Sequence, residues 1–336
     1  MIPNYTDWVD YSNGLETGEV NIKPDVSREI QLIIAVITTS LGSLCNGLVL
    51  ALLLCRRDTR TLPFLAVTLL SLCDFVRNGS AILLIVGEAL QQWIFGDAVC
   101  KVTRYLHFCS TITSSWHLAL AILVRYLATF KNTSCLTNLR FDRMVLFSLL
   151  TWLLVIIASI PVVITYSAWE VPYSSPKVVV CIFQPDPEKS RALIISDAIV
   201  RFLLPFCALF LITMASLCKS CGPNPSGVCC TKTVIISTPI VFACLQLPLQ
   251  ACSIYMTRTM AVDQKTLLLH QLADSLSYTS TVFDPILQAF TTPEFRSVFA
   301  GWWCCAKRYD ASKAEKRARR RQNKREETET RNPTDS

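Results

Sequence analysis

The sequence predicts an all-α membrane protein, a bundle of seven transmembrane helices. Hydrophobic residues make up 51% and charged residues 17% of the 336 residues, and the mean hydropathy is +0.40. Such a chain is more apolar than a soluble domain needs to fill one core. Windows of about twenty mainly apolar residues, the length that crosses a bilayer's hydrocarbon core, recur along the chain. We place the seven spans at 30–55, 63–90, 99–130, 144–166, 192–218, 232–256 and 266–290.

A soluble all-helical protein is the alternative, and it requires a polar face on most of its helices. Residues 32–55 and 145–164 have no such face. The connections between the spans are mostly short, which is typical of antiparallel neighbours in a bundle. The chain therefore divides into an acidic N-terminal tail (1–29), the bundle (30–290), and further residues that end in a basic tail (306–336).

The basic residues predict the orientation of the chain in the plasma membrane. Lysine and arginine in the loops do not decide it, but the run from Lys316 to Arg325 favours a cytoplasmic C-terminus. An odd number of spans then places the acidic N-terminus outside the cell. We expect the basic run to contact anionic membrane lipids. Asn4, in the sequon Asn4–Tyr5–Thr6, is a predicted glycosylation site.

The cysteines predict one disulfide and one lipid anchor. Cys100 and Cys181 lie on the oxidising outer side in this topology, so we expect a bond that holds the longest loop across the mouth of the bundle. Two free thiols are the alternative. Cys304 and Cys305 follow the last span and are expected to be palmitoylated; an unmodified pair at the membrane interface is the alternative.

Cys100 and Arg125 lie on the same predicted span. Their separation of twenty-five residues corresponds to roughly 37 Å of helix, slightly more than the hydrocarbon core. One helix therefore connects an outer anchor to a charge at the inner face.

Residues from about 30 to 305 resemble the class A, or rhodopsin-like, G-protein-coupled receptors, nearest to the peptide and chemoattractant branch. No single match is specific, but all occur in the family's order and spacing. The matching residues are Asn46, Val49, Leu70, Asp74, Trp93, Cys100, Arg125, Tyr126, Trp152, Pro161, Phe202, Pro205, Phe242, Pro248, Asp284, Pro285, Phe295 and Arg296.

The resemblance implies roles for several of these residues. Arg125 and Tyr126 are expected to contact a heterotrimeric G protein, and residues 291–305 to form a short amphipathic eighth helix. The expected activation hinges are Pro205, Phe242, Pro248 and Pro285, since proline permits a helix to kink. The expected mid-membrane polar cluster consists of Asn46, Asp74, Arg77, Ser114 and Asp284. A static hydrogen-bonded knot between the helices is the alternative reading of this cluster.

Arg77 is an unusual member of that cluster. It follows Asp74 by three residues, so the two side chains share a helix face and are expected to pair. A buried Asp–Arg pair would occupy the place of the sodium ion that many members of the family bind, so the receptor is predicted to be insensitive to sodium. The alternative is that Arg77 extends into a polar pocket.

Other departures concern the activation machinery. Val124 stands where an acid normally precedes the arginine, Gln246 replaces a tryptophan, and Gln288 replaces a tyrosine. The missing acid predicts elevated ligand-independent activity, whereas the two glutamines favour a different reading. The alternative is a non-signalling scavenger, decoy or modulatory receptor.

Ionisable and polar residues in the outer half of the bundle predict the ligand pocket. Arginine suits carboxylate groups, and a histidine occupies the place of the aspartate of amine receptors. We therefore expect a peptide, a protein or an anionic small molecule rather than a monoamine. Internal pairing, for example of Arg201 with Asp274, is the alternative. The predicted pocket residues are Arg104, His107, Arg201, Gln246, His270 and Asp274.

The sequence gives no indication of an enzyme. It contains no paired carboxylates and no His/Cys cluster at the spacing of metal ligands. Neither a cofactor, nor a metal, nor a nucleic-acid partner is expected.

Overall fold

The computed structural model describes residues 26–55, 62–130, 141–170, 177–183, 187–220, 229–259 and 264–291. The predicted eighth helix, the glycosylation site at Asn4 and the palmitoylation sites at Cys304 and Cys305 lie outside these residues. The chain divides into two units, residues 1–288 and 289–336, and the bundle belongs to the first.

Within the residues that the structure describes, seven helical spans follow one another, with bounds close to the predicted ones. Spans one to three are single helices, and span six is also continuous; spans four, five and seven are each made of two or three helical pieces. In order, the pieces are Val26–Cys55, Leu62–Ala89, Gly96–Phe130, Phe141–Ala158 with Ile160–Thr165, Pro187–Asp197 with Ala198–Leu203 and Leu204–Ser220, Cys229–Thr259, and Gln264–Tyr278 with Ser280–Thr291.

Six of the described helical segments are long and apolar enough to cross a membrane, judged by length and composition alone. The seventh span is interrupted at Thr279 between its two helices. Its outer piece, Gln264–Tyr278, is more polar than the other spans because it carries several of the predicted pocket residues. Large apolar side chains such as Leu154 and Leu211 are exposed on the outside of the bundle, as a lipid environment requires.

A two-stranded antiparallel hairpin lies between spans four and five, and it was not expected from the sequence. Strand β1 is Tyr166–Glu170 and strand β2 is Val179–Phe183, with Ala168 opposite Cys181. The disulfide between Cys100 and Cys181 ties β2 to the outer end of span three, which confirms the predicted bond.

Two further contacts hold this hairpin against the bundle. The backbone N–H of Ala168 donates to the Asp97 carboxylate across 2.9 Å. The backbone N–H of Trp93 donates to the backbone carbonyl of Val179 across 2.7 Å. The hairpin is thus fixed to the outer end of span three by a covalent bond and a hydrogen bond, and to the preceding loop by a hydrogen bond from Trp93.

Prolines and helix breaks leave carbonyl groups without a helical donor, and side chains from neighbouring spans bond to them. Pro285 has no N–H for the Thr281 carbonyl, and the Asn46 side chain of span one donates to that oxygen across 2.8 Å. The same arrangement joins spans five and six. Pro239 frees the Ile235 carbonyl, and the Thr213 hydroxyl donates to it across 2.9 Å.

Span five contains a π-helical turn, Ala198–Leu203, immediately before Pro205. The wider register leaves the Val200 carbonyl facing the position of Pro205, which has no N–H to offer. The Trp116 indole N–H of span three donates to this carbonyl across 3.2 Å. Because lipid offers no water to such groups, these contacts between spans position the helices relative to one another.

The main apolar core lies where spans two, three, five and six meet toward the inner half of the bundle. Leu118, Ile122, Leu209 and Ile235 are almost completely buried there. Phe242 of span six completes this core and stacks on Phe202 of span five, with ring centroids 5.7 Å apart.

Candidate functional sites in the bundle

The predicted mid-membrane residues are buried and lie where spans one, two, three and seven face each other. Asp74 is fully buried and accepts a hydrogen bond from the Ser114 hydroxyl. Asn46 is also fully buried and donates to the carbonyls of Gly42 and Thr281, both at 2.8 Å. Asp284, only 7% exposed, interacts electrostatically with Asp74.

The expected direct pair between Asp74 and Arg77 is not formed by these two described residues, and that prediction was wrong. Arg77 extends across to span seven instead. Its guanidinium donates to the Ser277 carbonyl across 3.2 Å and hydroxyl across 3.0 Å, and to the Ser280 hydroxyl across 3.2 Å.

The direction of Arg77 has a physical cause. Span seven breaks just after Ser277, and the carbonyls at the end of a helix carry partial negative charge. These carbonyls attract the buried guanidinium cation, and the Ser114 hydroxyl bonds with one oxygen of the Asp74 carboxylate. Arg77 still interacts electrostatically with Asp74, but without a direct ion pair.

Gln246 of span six meets Arg77 at the same break. Its amide N–H donates to the Ser280 hydroxyl across 3.2 Å and to the Ser277 carbonyl across 3.5 Å. Gln246 is 3% exposed, so it lies in the core below the predicted pocket rather than on an open surface.

Arg104 lies beneath the hairpin, at the top of the group of predicted pocket residues, which we call the outer cluster. It donates to the Cys181 carbonyl across 3.3 Å, and its guanidinium carbon lies 5.3 Å from the centre of the Tyr166 ring. Desolvation raises the pKa of Tyr166 and the Arg104 charge acts in the opposite direction, so the Tyr166 hydroxyl stays neutral at physiological pH. Among the described side chains, none forms an ion pair with Arg104.

Arg201 bonds within its own span rather than across the pocket. It forms an ion pair with Asp197 at 3.1 Å, and both side chains are 13% exposed. The alternative of an Arg201–Asp274 pair is therefore wrong. The spacing of four residues between Asp197 and Arg201 is a signal that the sequence offered for this pair.

Asp274 keeps its carboxylate without an ion pair among the described side chains. The Tyr278 hydroxyl donates to it across 3.4 Å. One turn above, His270 hydrogen-bonds with Ser253 of span six at 3.1 Å. Electrostatic interaction of His270 with Asp274, Arg104 and Arg201 shows that the cluster surrounds one region of the bundle.

His107 forms the floor of this region. It hydrogen-bonds with Ser80 of span two at 3.3 Å and meets the Tyr278 ring edge to face, with centroids 5.8 Å apart. Three further residues belong to the site although they were not expected from the sequence: Tyr166, Asp197 and Tyr278. The two tyrosines were missed because a single tyrosine in a loop or a helix has no distinguishing sequence pattern.

The predicted G-protein contact residues are buried. Arg125 is 4% and Tyr126 is 9% exposed, and the Tyr126 ring lies 5.5 Å from that of Phe130. Of the expected hinges, Pro205 and Pro285 are buried and Pro248 is half-buried within span six. No group of three metal-ligating side chains occurs among the residues of the chain that the structure describes.

Comparison with known proteins agrees with this architecture. A family model described as the 7 transmembrane receptor (rhodopsin family) matches residues 45–287. The chain is 21% identical to the allatostatin-A receptor of Bombyx mori over 90% of this chain and 86% of that protein. It is 24% identical to the neuropeptides B/W receptor type 2 of Bos taurus, over 76% of this chain and 80% of that one.

A chemokine receptor is similar to the same extent. Identity to the C-X-C chemokine receptor type 2 of Canis lupus familiaris is 23%, covering 81% of this chain and 78% of that protein. The family match covers most of the chain, including all the sites described above. The protein therefore belongs to the rhodopsin family of seven-transmembrane receptors.

Proposed function

We propose that this receptor binds an extracellular peptide and transmits the signal to heterotrimeric G proteins across the plasma membrane. Membership of the rhodopsin family supports coupling to G proteins. The names of its relatives, receptors for allatostatin-A, neuropeptides B/W and C-X-C chemokines, support a peptide or small protein as the ligand. The N-terminus lies outside the cell and the C-terminus in the cytoplasm.

The expected chemistry of the ligand follows from Arg104 and Asp274, the two charged residues of the outer cluster that form no ion pair with another described side chain. The Arg104 guanidinium suits a carboxylate, since it forms paired hydrogen bonds with both oxygens. The Asp274 carboxylate suits an amino group or a basic side chain. A peptide carries both groups, whereas a monoamine supplies only one, and His107 offers no negative charge to it.

Variants of these two residues test the proposed ligand class. A panel of synthetic peptides, including those that the relatives bind, is applied to cells that express the receptor, and G-protein activation is recorded. Arg104→Gln and Asp274→Asn should each weaken the response to an activating peptide by a factor of about ten or more. Lys101→Gln, whose side chain bonds with Asp97 at the outer end of span three, is the matched control. An unchanged response in both pocket variants would contradict the assignment.

We further propose that the receptor signals appreciably without a ligand. Val124 carries no charge at the position where an acid normally precedes Arg125. A weaker restraint on the inner face raises the population of the open conformation, so some exchange of nucleotide proceeds without ligand.

A non-signalling scavenger, decoy or modulatory receptor is the second candidate. The replacements at Gln246 and Gln288 favour it, because both alter residues tied to activation in the family. A labelled peptide separates the candidates. A scavenger internalises the peptide without activating a G protein, whereas a signalling receptor activates one in proportion to occupancy.

A further inference from the structure

The break in span seven presents one carbonyl to three donors. The Ser277 carbonyl accepts from Arg77 at 3.2 Å, from Gln246 at 3.5 Å and from the Ser280 hydroxyl at 2.7 Å. The Ser280 hydroxyl in turn accepts from both Arg77 and Gln246, each at 3.2 Å. Side chains of spans two, six and seven thus meet around two oxygen atoms, which we call the Ser277 junction.

The junction is buried and charged. Ser277, Ser280, Arg77 and Gln246 are each 4% exposed or less. An arginine at such depth is costly unless its donors are used, and a helix end in lipid is costly unless its carbonyls are bonded. Here both terminal nitrogens of the Arg77 guanidinium donate to span seven, so the guanidinium holds the outer piece of span seven against span two.

On its outer side the junction is linked to the proposed ligand region by Tyr278. The Arg77 guanidinium carbon lies 5.4 Å from the centre of the Tyr278 ring. The Tyr278 hydroxyl donates to Asp274 across 3.4 Å. A group that pairs with Asp274 therefore changes the charge that faces Tyr278 and Arg77.

On its inner side the junction reaches the helix that carries the hinge. Gln246 precedes Pro248 by two residues within the continuous helix Cys229–Thr259. Loss of the contacts between Gln246 and span seven would free span six to move about this proline. Arg125 is 4% exposed in the same structure, so the contacts of the junction accompany a buried Arg125 at the inner face.

We propose that Arg77 is a positioning residue of the signalling mechanism, one that couples the outer cluster at Asp274 to the hinge of span six through the Ser277 junction. Its bonds hold spans two, six and seven in the closed arrangement. A ligand cation at Asp274 weakens that hold, because it adds positive charge near the guanidinium. The inference rests on the proposed transmission from the outer cluster to the inner face.

The test uses the purified full-length receptor in vesicles, with a fluorinated phenylalanine at position 233 in place of Thr233, near the inner end of span six. The fluorine spectrum reports the populations of the closed and open arrangements without any ligand or G protein. Exchange of nucleotide on a purified heterotrimer is measured in parallel. The variants are Arg77→Met, Arg77→Lys, Ser280→Ala and Gln246→Leu, with Ser110→Ala as the control.

Ser110 is a suitable control because it is fully buried and its hydroxyl bonds only to carbonyls of its own helix. We expect Arg77→Met and Ser280→Ala to raise the open population about fivefold, the low end of typical coupling between sites. Arg77→Lys keeps the charge but loses the forked geometry. Its open population should therefore lie between those of the two variants and that of the natural chain. Ser110→Ala should leave the spectrum unchanged.

Non-additivity distinguishes coupling from simple loss of stability. Arg77 and Gln246 share the Ser280 hydroxyl. The double variant Arg77→Met with Gln246→Leu should therefore shift the populations no further than Arg77→Met alone. A lowered melting temperature with unchanged fluorine populations in Ser280→Ala and Arg77→Lys would overturn the proposal. Shifted populations without any nucleotide exchange would uphold the coupling and instead refute G-protein signalling.

Discussion

The Asn46 side-chain nitrogen lies 2.8 Å from the carbonyl oxygen of Thr281, two residues that are 235 positions apart in the chain. Pro285 is the reason that this oxygen is available, because the proline has no N–H to donate to it. An amide of span one thus replaces the missing helical bond of span seven.

Asn46→Ala should lower the free energy of unfolding by about 1–3 kcal/mol, since the Thr281 carbonyl would be left buried and unbonded. Ser43→Ala is the control, because the Ser43 hydroxyl bonds with the Thr39 carbonyl of its own helix at 2.9 Å. Thermal unfolding in detergent measures both. Equal losses in the two variants would show that the bond between spans contributes nothing.

A double-mutant cycle tests the same principle between spans five and six. Thr213→Val should cost about 1 kcal/mol in the natural chain, because it leaves the Ile235 carbonyl unbonded. In a Pro239→Ala background the alanine N–H bonds with that carbonyl, so Thr213→Val should cost nearly nothing. A cost that is the same in both backgrounds would contradict this account of the Thr213 contact.

The disulfide is expected to stabilise the outer end of the bundle. Cys100→Ser and Cys181→Ser should each lower the free energy of unfolding by about 2–5 kcal/mol, and the double variant by no more than either one. Cys207→Ser is the control, since Cys207 is a free and exposed cysteine. Losses that add up in the double variant would mean that the two cysteines act separately.

The spans and the disulfide could be predicted because each depends on a simple constraint. A helix that crosses lipid needs a long apolar run, and an outer pair of cysteines in an oxidising compartment needs no further information. The hairpin was less accessible. The β-branched run Val178–Val179–Val180 leads into its second strand, Val179–Phe183, but the surrounding prolines gave the loop an irregular pattern.

The direction of Arg77 could not be predicted, because it depends on a break in another span. No proline lies at Thr279 to indicate that break, and Pro285 is six residues further on. The helix-face rule placed Asp74 and Arg77 on one face of span two, but the long Arg77 side chain reaches an acceptor on another span, the Ser277 carbonyl. That acceptor belongs to a segment two hundred residues away in the sequence.

The buried guanidinium also predicts insensitivity to sodium, although Arg77 does not pair directly with Asp74. Its fixed positive charge interacts with both Asp74 and Asp284 and repels a second cation from them. The melting temperature of the natural chain should be the same in sodium chloride and in choline chloride of equal ionic strength. Arg77→Leu should acquire a stabilisation that only sodium produces. Stabilisation of the natural chain by sodium alone would refute the prediction.

Ligand-independent nucleotide exchange by the natural chain and by Arg125→Ala tests the central claim most directly, that this bundle carries a signal to a G protein. Both proteins are reconstituted at equal density with a purified heterotrimer, and receptor-free vesicles give the background. We expect exchange above background for the natural chain and a fall to background for Arg125→Ala. Background rates for both proteins, with and without the peptide panel, would contradict the claim and favour the scavenger.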